Sequence, residues 1–131
     1  KENSYIKKVN NYLNQIQQDS LKINQIYELY YKNQNRGTKE ADEELKGYLL
    51  NNQKMIEDVK YMTSNTVPKR FKTAHEKLET VLKIRFQTTK SLLNYLRSFD
   101  SKSINQYENN KNLYHKKMQE FSNLWNRLIA N

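Results

Sequence analysis

Hydrophobic side chains recur along this chain in alternating steps of three and four, in four separate stretches. The first covers residues 4–33 and aligns Ile6, Val9, Leu13, Ile16, Ile23, Tyr27 and Tyr30, with one gap at Ser20; Tyr5, Tyr12 and Ile26 widen the stripe. The second, residues 39–64, reads Ala41, Leu45, Tyr48, Asn52, Met55, Val59 and Met62, flanked by Leu49 and Ile56. The third, residues 68–99, carries Phe71, Ala74, Leu78, Val81, Leu82, Phe86, Leu92, Leu93, Leu96 and Phe99, and Arg85, Thr88 and Thr89 interrupt it. The fourth, residues 102–130, carries Ile104, Tyr107, Tyr114, Met118, Phe121, Trp125 and Leu128, broken once by Lys111. Such spacing is a heptad seam, which packs helices side by side at shallow angles.

The breaks between stretches carry stop and start signals. Gly37 is a plausible C-terminal stop and Thr38 an N-cap, followed by Glu40, Asp42, Glu43 and Glu44, where the helix dipole favours negative charge. Pro68 suits the first position of a new helix, and Asp100-Ser101 is a short turn with a ready cap. Short connections make neighbouring helices antiparallel. The pattern therefore predicts one all-α domain over residues 1–131, an antiparallel up-down-up-down four-helix bundle. Only 2 Gly and 1 Pro occur, too few for the repeated turns of most β folds.

Antiparallel stacking brings the polar interruptions Ser20, Asn52, Arg85, Thr88 and Lys111 to roughly one level, a polar layer between two apolar halves. The plain role of such residues is to fix register at a cost in stability, with Arg85 and Lys111 snorkelling outward. The sharper one is a small anion or polar-ligand site, since two cations with hydroxyl and amide partners suit a carboxylate or phosphate. Most of the tyrosines fall on or beside the seams and read as core; Tyr31 and Tyr61 are expected to be exposed. Trp125 reads as core near a bundle end.

Several chemistries find no residues to carry them. The chain has no cysteine, so disulfides and thiolate metal sites are excluded. His75 and His115 fall nine residues apart in antiparallel register, about 13 Å along the axis, too far to grip one metal. No Glu-x-x-His pair marks a di-iron bundle, Gly37 and Gly47 stand alone, and no nucleophile elbow is present. No enzyme activity and no cofactor are expected. No apolar run is long enough to span a membrane.

Charge is more informative. The net charge is +9, and residues 68–131 alone carry 13 cations against five anions. Lys69, Arg70, Lys72, Lys77, Lys83 and Lys90 are the residues expected to present a basic face on the third and fourth helices to a polyanion. Candidate partners are an acidic protein, an anionic envelope polymer such as a teichoic acid, anionic lipid headgroups, or nucleic acid. Nucleic acid is disfavoured, because Lys dominates and no recognition module appears.

The segment Val67-Pro68-Lys69-Arg70-Phe71-Lys72-Thr73-Ala74-His75-Glu76-Lys77-Leu78 is similar to a pattern of Pro, an aromatic and Ala-His-x-x-Leu. That pattern opens a helix in small helical extracytoplasmic proteins and lipoproteins of low-GC Gram-positive bacteria. Leu92-Leu93 and the Phe99-Asp100-Ser101 turn also fit, so the resemblance covers residues 67–101. It implies a surface-anchored or secreted bundle without assigned catalytic residues. The Trp-x-Gly turn of small secreted helical effectors is missing, since Asn126 and Arg127 follow Trp125. The chain opens at Lys1 rather than Met, so a leader or lipid anchor is expected to lie outside it, lost by processing or by truncation.

Three functional readings follow. The first is a non-enzymatic envelope module that binds a protein or anionic polymer through the basic face. The second is an intracellular nucleic-acid-associated or mobile-element protein. The third is a sensor of a small polar ligand using the mid-bundle layer. Leu49 and Ile56, outside the seam, are expected to offer a strip through which bundles pair.

Overall fold

The computed structural model describes residues 2–32, 38–62 and 65–131, with residues 31 and 32 by backbone alone. The stop expected at Gly37, the Tyr31 side chain and the expected helix ends at Asn33 and Ser64 lie outside the described residues. Four α-helices form the chain: α1 (Glu2–Tyr27), α2 (Lys39–Tyr61), α3 (Lys72–Ser98) and α4 (Ser101–Ala130). They alternate in direction as an antiparallel four-helix bundle. The start of α1 meets the start of α3 through the Tyr5 hydroxyl and His75 Nδ1 (2.7 Å), and the end of α1 meets the start of α4 through Tyr27 and Tyr107 (5.0 Å between ring centres).

Local chemistry explains the ends. The Thr38 hydroxyl accepts from the Ala41 backbone N–H (3.1 Å) and starts α2; Asp100 Oδ1 accepts from Ser103 N–H (2.7 Å) and starts α4. Two boundaries differ from the sequence expectation. Pro68 precedes the helix rather than opening it. Its φ of −61° suits a helix but its ψ of 144° is extended, and its carbonyl accepts from Phe71 N–H to close the 3₁₀ turn Lys69–Phe71. The regular α-helix of the first stretch ends at Tyr27 and continues as a π turn, Glu28–Lys32. Phe99 ends α3 in the left-handed region (φ 57°), where its N–H donates to the Tyr95 carbonyl (2.6 Å) and its ring rests on Tyr95.

The core splits into two apolar clusters, as the polar interruptions require. One gathers Tyr5, Val9, Phe71, Leu78, Phe121 and Trp125 with their neighbours. The other gathers Ile23, Leu45, Leu92, Leu96, Ile104 and Tyr107 with theirs. Helix α3 packs against both α2 and α4 and contributes the longest run of buried side chains. Ile56 and Leu49 do not form a free strip: Ile56 is buried in the first cluster and Leu49 packs on the second, because the α2 stripe is wider than one seam.

Exposed ion pairs fasten the helices at their ends. Arg97 holds Asp42 through Nε (2.6 Å) and Nη2 (3.1 Å), tying α3 to α2. With Lys46 beside it as well, the Asp42 carboxyl drops from an ordinary 3.8 to about 2. Arg70 Nη2 holds Glu2 (2.6 Å) while its Nη1 donates to the Leu128 carbonyl (2.7 Å), tying α1 to α4. Among the described residues no helix is long and apolar enough to cross a membrane.

Candidate ligand cleft

The polar interruptions converge on Arg85. Its side chain is only 3% exposed, and Nη1 donates to Asn52 Oδ1 at 2.6 Å. Nη2 reaches the Ile16 carbonyl (3.3 Å) and the Ser20 hydroxyl (3.4 Å), both long contacts. Asn52 is itself buried, and its Nδ2 donates to the Leu82 carbonyl (2.9 Å). That carbonyl can only accept, so it fixes the amide's orientation and turns Oδ1 toward the guanidinium. Helices α1, α2 and α3 thus all supply partners, and α4 adds the Tyr114 hydroxyl, which interacts with Arg85 and Ser20.

Burial sets the electrostatics here. It pulls the Arg85 pKa below its ordinary value, with Tyr114 and Asp19 acting the other way. A guanidinium stays protonated even so, leaving a positive charge in the interior. Burial also raises the Tyr114 phenol, with Arg85 and Ser20 partly offsetting it. Asp19 acts on Arg85 through space, from outside the cleft described next.

Arg85 lies at the floor of a cleft of about 660 Å³ between α1 and α4. The α1 wall is Leu13, Ile16, Gln17, Ser20, Ile23 and Asn24, and Leu21 stands half-exposed at the rim. The α4 wall is Tyr107, Lys111, Tyr114, His115, Met118 and Ser122, while Thr88 and Thr89 share the floor. No Asp or Glu is among these residues, so Arg85, Lys111 and any charge on His115 face no carboxylate in the lining. Aromatic contacts close both ends. Tyr5, Phe71, Phe121 and Trp125 pack at one, with Trp125 Nε1 donating to Asn10 Oδ1 (3.2 Å); Tyr27 and Tyr107 pack at the other.

The residues of the expected polar layer therefore divide. Ser20, Asn52 and Arg85 meet directly. Thr88 faces the cleft but spends its hydroxyl on its own helix, donating to the Ile84 carbonyl (2.8 Å). Lys111 is one helical turn away from Tyr114, with its ammonium over the rings of Tyr27 (4.6 Å) and Tyr107 (5.6 Å). Two members were not anticipated. Tyr114 was read only as a seam residue, and Asp19 is 4% exposed with Oδ1 accepting from Gln15 (2.8 Å). One signal did point to the cleft: the facing seams of α1 and α4 each lack an apolar residue at one level, at Ser20 and Lys111.

The expected basic face is less uniform than the charge count implies. Lys72, Lys83 and Lys90 lie on the outward side of α3, but Glu76 and Glu79 fall between them at helical spacing, and Lys83 pairs with Glu79 (2.7 Å). Lys77 lies on a flank, in a groove it shares with Glu76, Lys117 and Glu120. Arg70 is committed to Glu2 and Leu128, and only Lys69 remains in the exposed turn before α3. His75 Nε2 donates to the Val59 carbonyl (2.8 Å), which locks the ring between helices. Among the described residues no three His, Asp or Glu side chains gather to hold a metal.

Fold and site together define an all-α four-helix bundle with an arginine-floored cleft between its first and last helices. Comparison with protein-family models, curated proteins and solved structures found no match.

Proposed function

We propose that this protein is a non-catalytic binding module that takes a small anionic ligand into the α1–α4 cleft. One observation carries the reading: a buried guanidinium with neutral hydrogen-bond partners faces a ligand-sized opening whose lining holds no carboxylate. Burial strengthens the attraction of Arg85 for an anion, and its long contacts to Ile16 and Ser20 leave donors for a stronger acceptor. Lys111 and His115 add positive or hydrogen-bonding capacity on the opposite wall. The outward lysines of α3 support partner binding less well, because carboxylates are interleaved with them. The resemblance over residues 67–101 supports an extracytoplasmic location.

Thermal unfolding in a panel of phosphate, acetate, citrate and octanoate tests the reading. At about a hundred times its dissociation constant, a ligand of the native state raises stability by about 2.7 kcal/mol, several degrees in a domain of this size. The rise is expected with at least one anion. It should vanish in Arg85→Met and weaken in Lys111→Gln, whose partly exposed side chain leaves the core intact. An equal rise in both variants, or none with any anion, would exclude the cleft as an anion site.

A further inference from the structure

We infer that the ligand is an amphiphile, with one carboxylate or phosphate head beside Arg85 and an apolar tail lying toward Leu13 and Met118. The inference rests on the cleft reading above and adds the chemical class of the occupant.

The observation behind it is that the cleft changes character along its length. Register follows from three contacts between helices. Asn10 meets Trp125, the Ile16 carbonyl and Ser20 meet Arg85, and Tyr27 meets Tyr107. From Leu13 to Asn24 the α1 wall spans about 16 Å, with Arg85 near its middle. On one side of Arg85 the walls are Leu13, Ile16 and Met118, ending at the aromatic cluster of Tyr5, Phe121 and Trp125. On the other side they are Asn24, Thr88, Thr89 and Lys111.

A bare inorganic anion uses only the middle of such a cleft and leaves its apolar half wet. A neutral apolar molecule leaves the guanidinium without a new acceptor. A single head on an apolar tail satisfies both halves together. Arg85 gives the head a planar fork of donors, and Ser20 and Tyr114 supply hydroxyls at the same level. Lys111, parked on Tyr27 and Tyr107 one turn beyond Tyr114, lies on the polar side, where a second cation meets the head rather than the tail. The tail displaces water from Leu13, Ile16 and Met118, and Met118 adapts readily to tails of different shape.

The test is calorimetric titration of the intact chain with acetate, butanoate, octanoate, octyl phosphate, octanol and inorganic phosphate. Affinity should rise about two- to four-fold per methylene from butanoate to octanoate. Octanol should bind at least ten-fold more weakly than octanoate. Octanoate and octyl phosphate distinguish the two heads by which binds tighter. Met118→Gln should flatten the chain-length dependence and leave acetate and phosphate binding unchanged. If acetate or phosphate bind through Arg85 but affinity ignores chain length, the amphiphile inference fails while the anion cleft stands. If octanol matches octanoate and Arg85→Met binds both equally, head recognition fails and the anion reading goes with it. Absence of binding by every compound overturns both.

Discussion

Replacing Phe71 with alanine should cost about 3–5 kcal/mol of unfolding free energy, a large share of the margin of an ordinary domain. Phe71 is fully buried at the junction between the 3₁₀ turn and α3. Its ring packs on Tyr5 (5.5 Å) and Trp125 (5.2 Å), which belong to the first and last helices. The Arg70 guanidinium covers it at 4.4 Å while reaching Glu2 and Leu128. One side chain thus joins α1, α3 and α4 at the end of the cleft, and the hole left by its loss cannot close without moving helices. Urea denaturation measures the loss, with Tyr61→Ala as control. Tyr61 is 74% exposed, and its replacement should stay within about 0.5 kcal/mol of the parent. A Phe71→Ala protein within 1 kcal/mol or so of the parent would show that the aromatic cluster does not hold α1 in place.

Replacing Asn52 with alanine should cost about 2–3 kcal/mol, because hydrogen bonds to a buried charge are among the strong ones. The 2.6 Å bond to Asn52 Oδ1 is the shortest that Arg85 makes among the described residues. Without it the guanidinium keeps two long contacts and the Tyr114 hydroxyl. Arg85→Met should also destabilise, since it strands Asn52 Oδ1 and removes the charge that balances buried Asp19. The double variant, with leucine at 52 and methionine at 85, removes both polar partners together. It should lose less than the sum of the single changes. Additivity within about 0.5 kcal/mol would mean the two side chains do not act as a unit. Asn52 is then a positioning residue: it sits behind Arg85 and sets where the guanidinium points.

The helices were legible because their seams are long and nearly unbroken, and the caps at Thr38 and Asp100 fall where short polar side chains meet the first free N–H groups. Boundaries were less legible where backbone geometry decides. Pro68 has a helical φ in any context, but only the fold sets its extended ψ and the turn that follows. The meeting of Ser20, Asn52 and Arg85 was legible as a shared level, since register in an antiparallel bundle follows from loop position. Asp19 was not, because an acidic residue outside the seam reads as solvent-facing until α2 is laid beside it. Lys111 illustrates the limit of level alone. It occupies the expected height, yet its flexible stem carries the ammonium to two tyrosine faces instead of to Arg85. The cleft itself follows from two missing apolar residues on facing helices, a feature visible only when both seams are read together. Comparing charge counts overstated the basic face, because a sum over residues 68–131 ignores that Glu76 and Glu79 share the outward side with the lysines.

Backbone and side-chain NMR of the labelled chain, titrated with octanoate, tests the central claim most directly. The account predicts shifts along α1 between Leu13 and Asn24, along α4 between Tyr107 and Ser122, and at the Arg85 guanidinium, while Lys72, Lys83 and Lys90 stay still. Shifts confined to those lysines, with Arg85 unmoved, would contradict it.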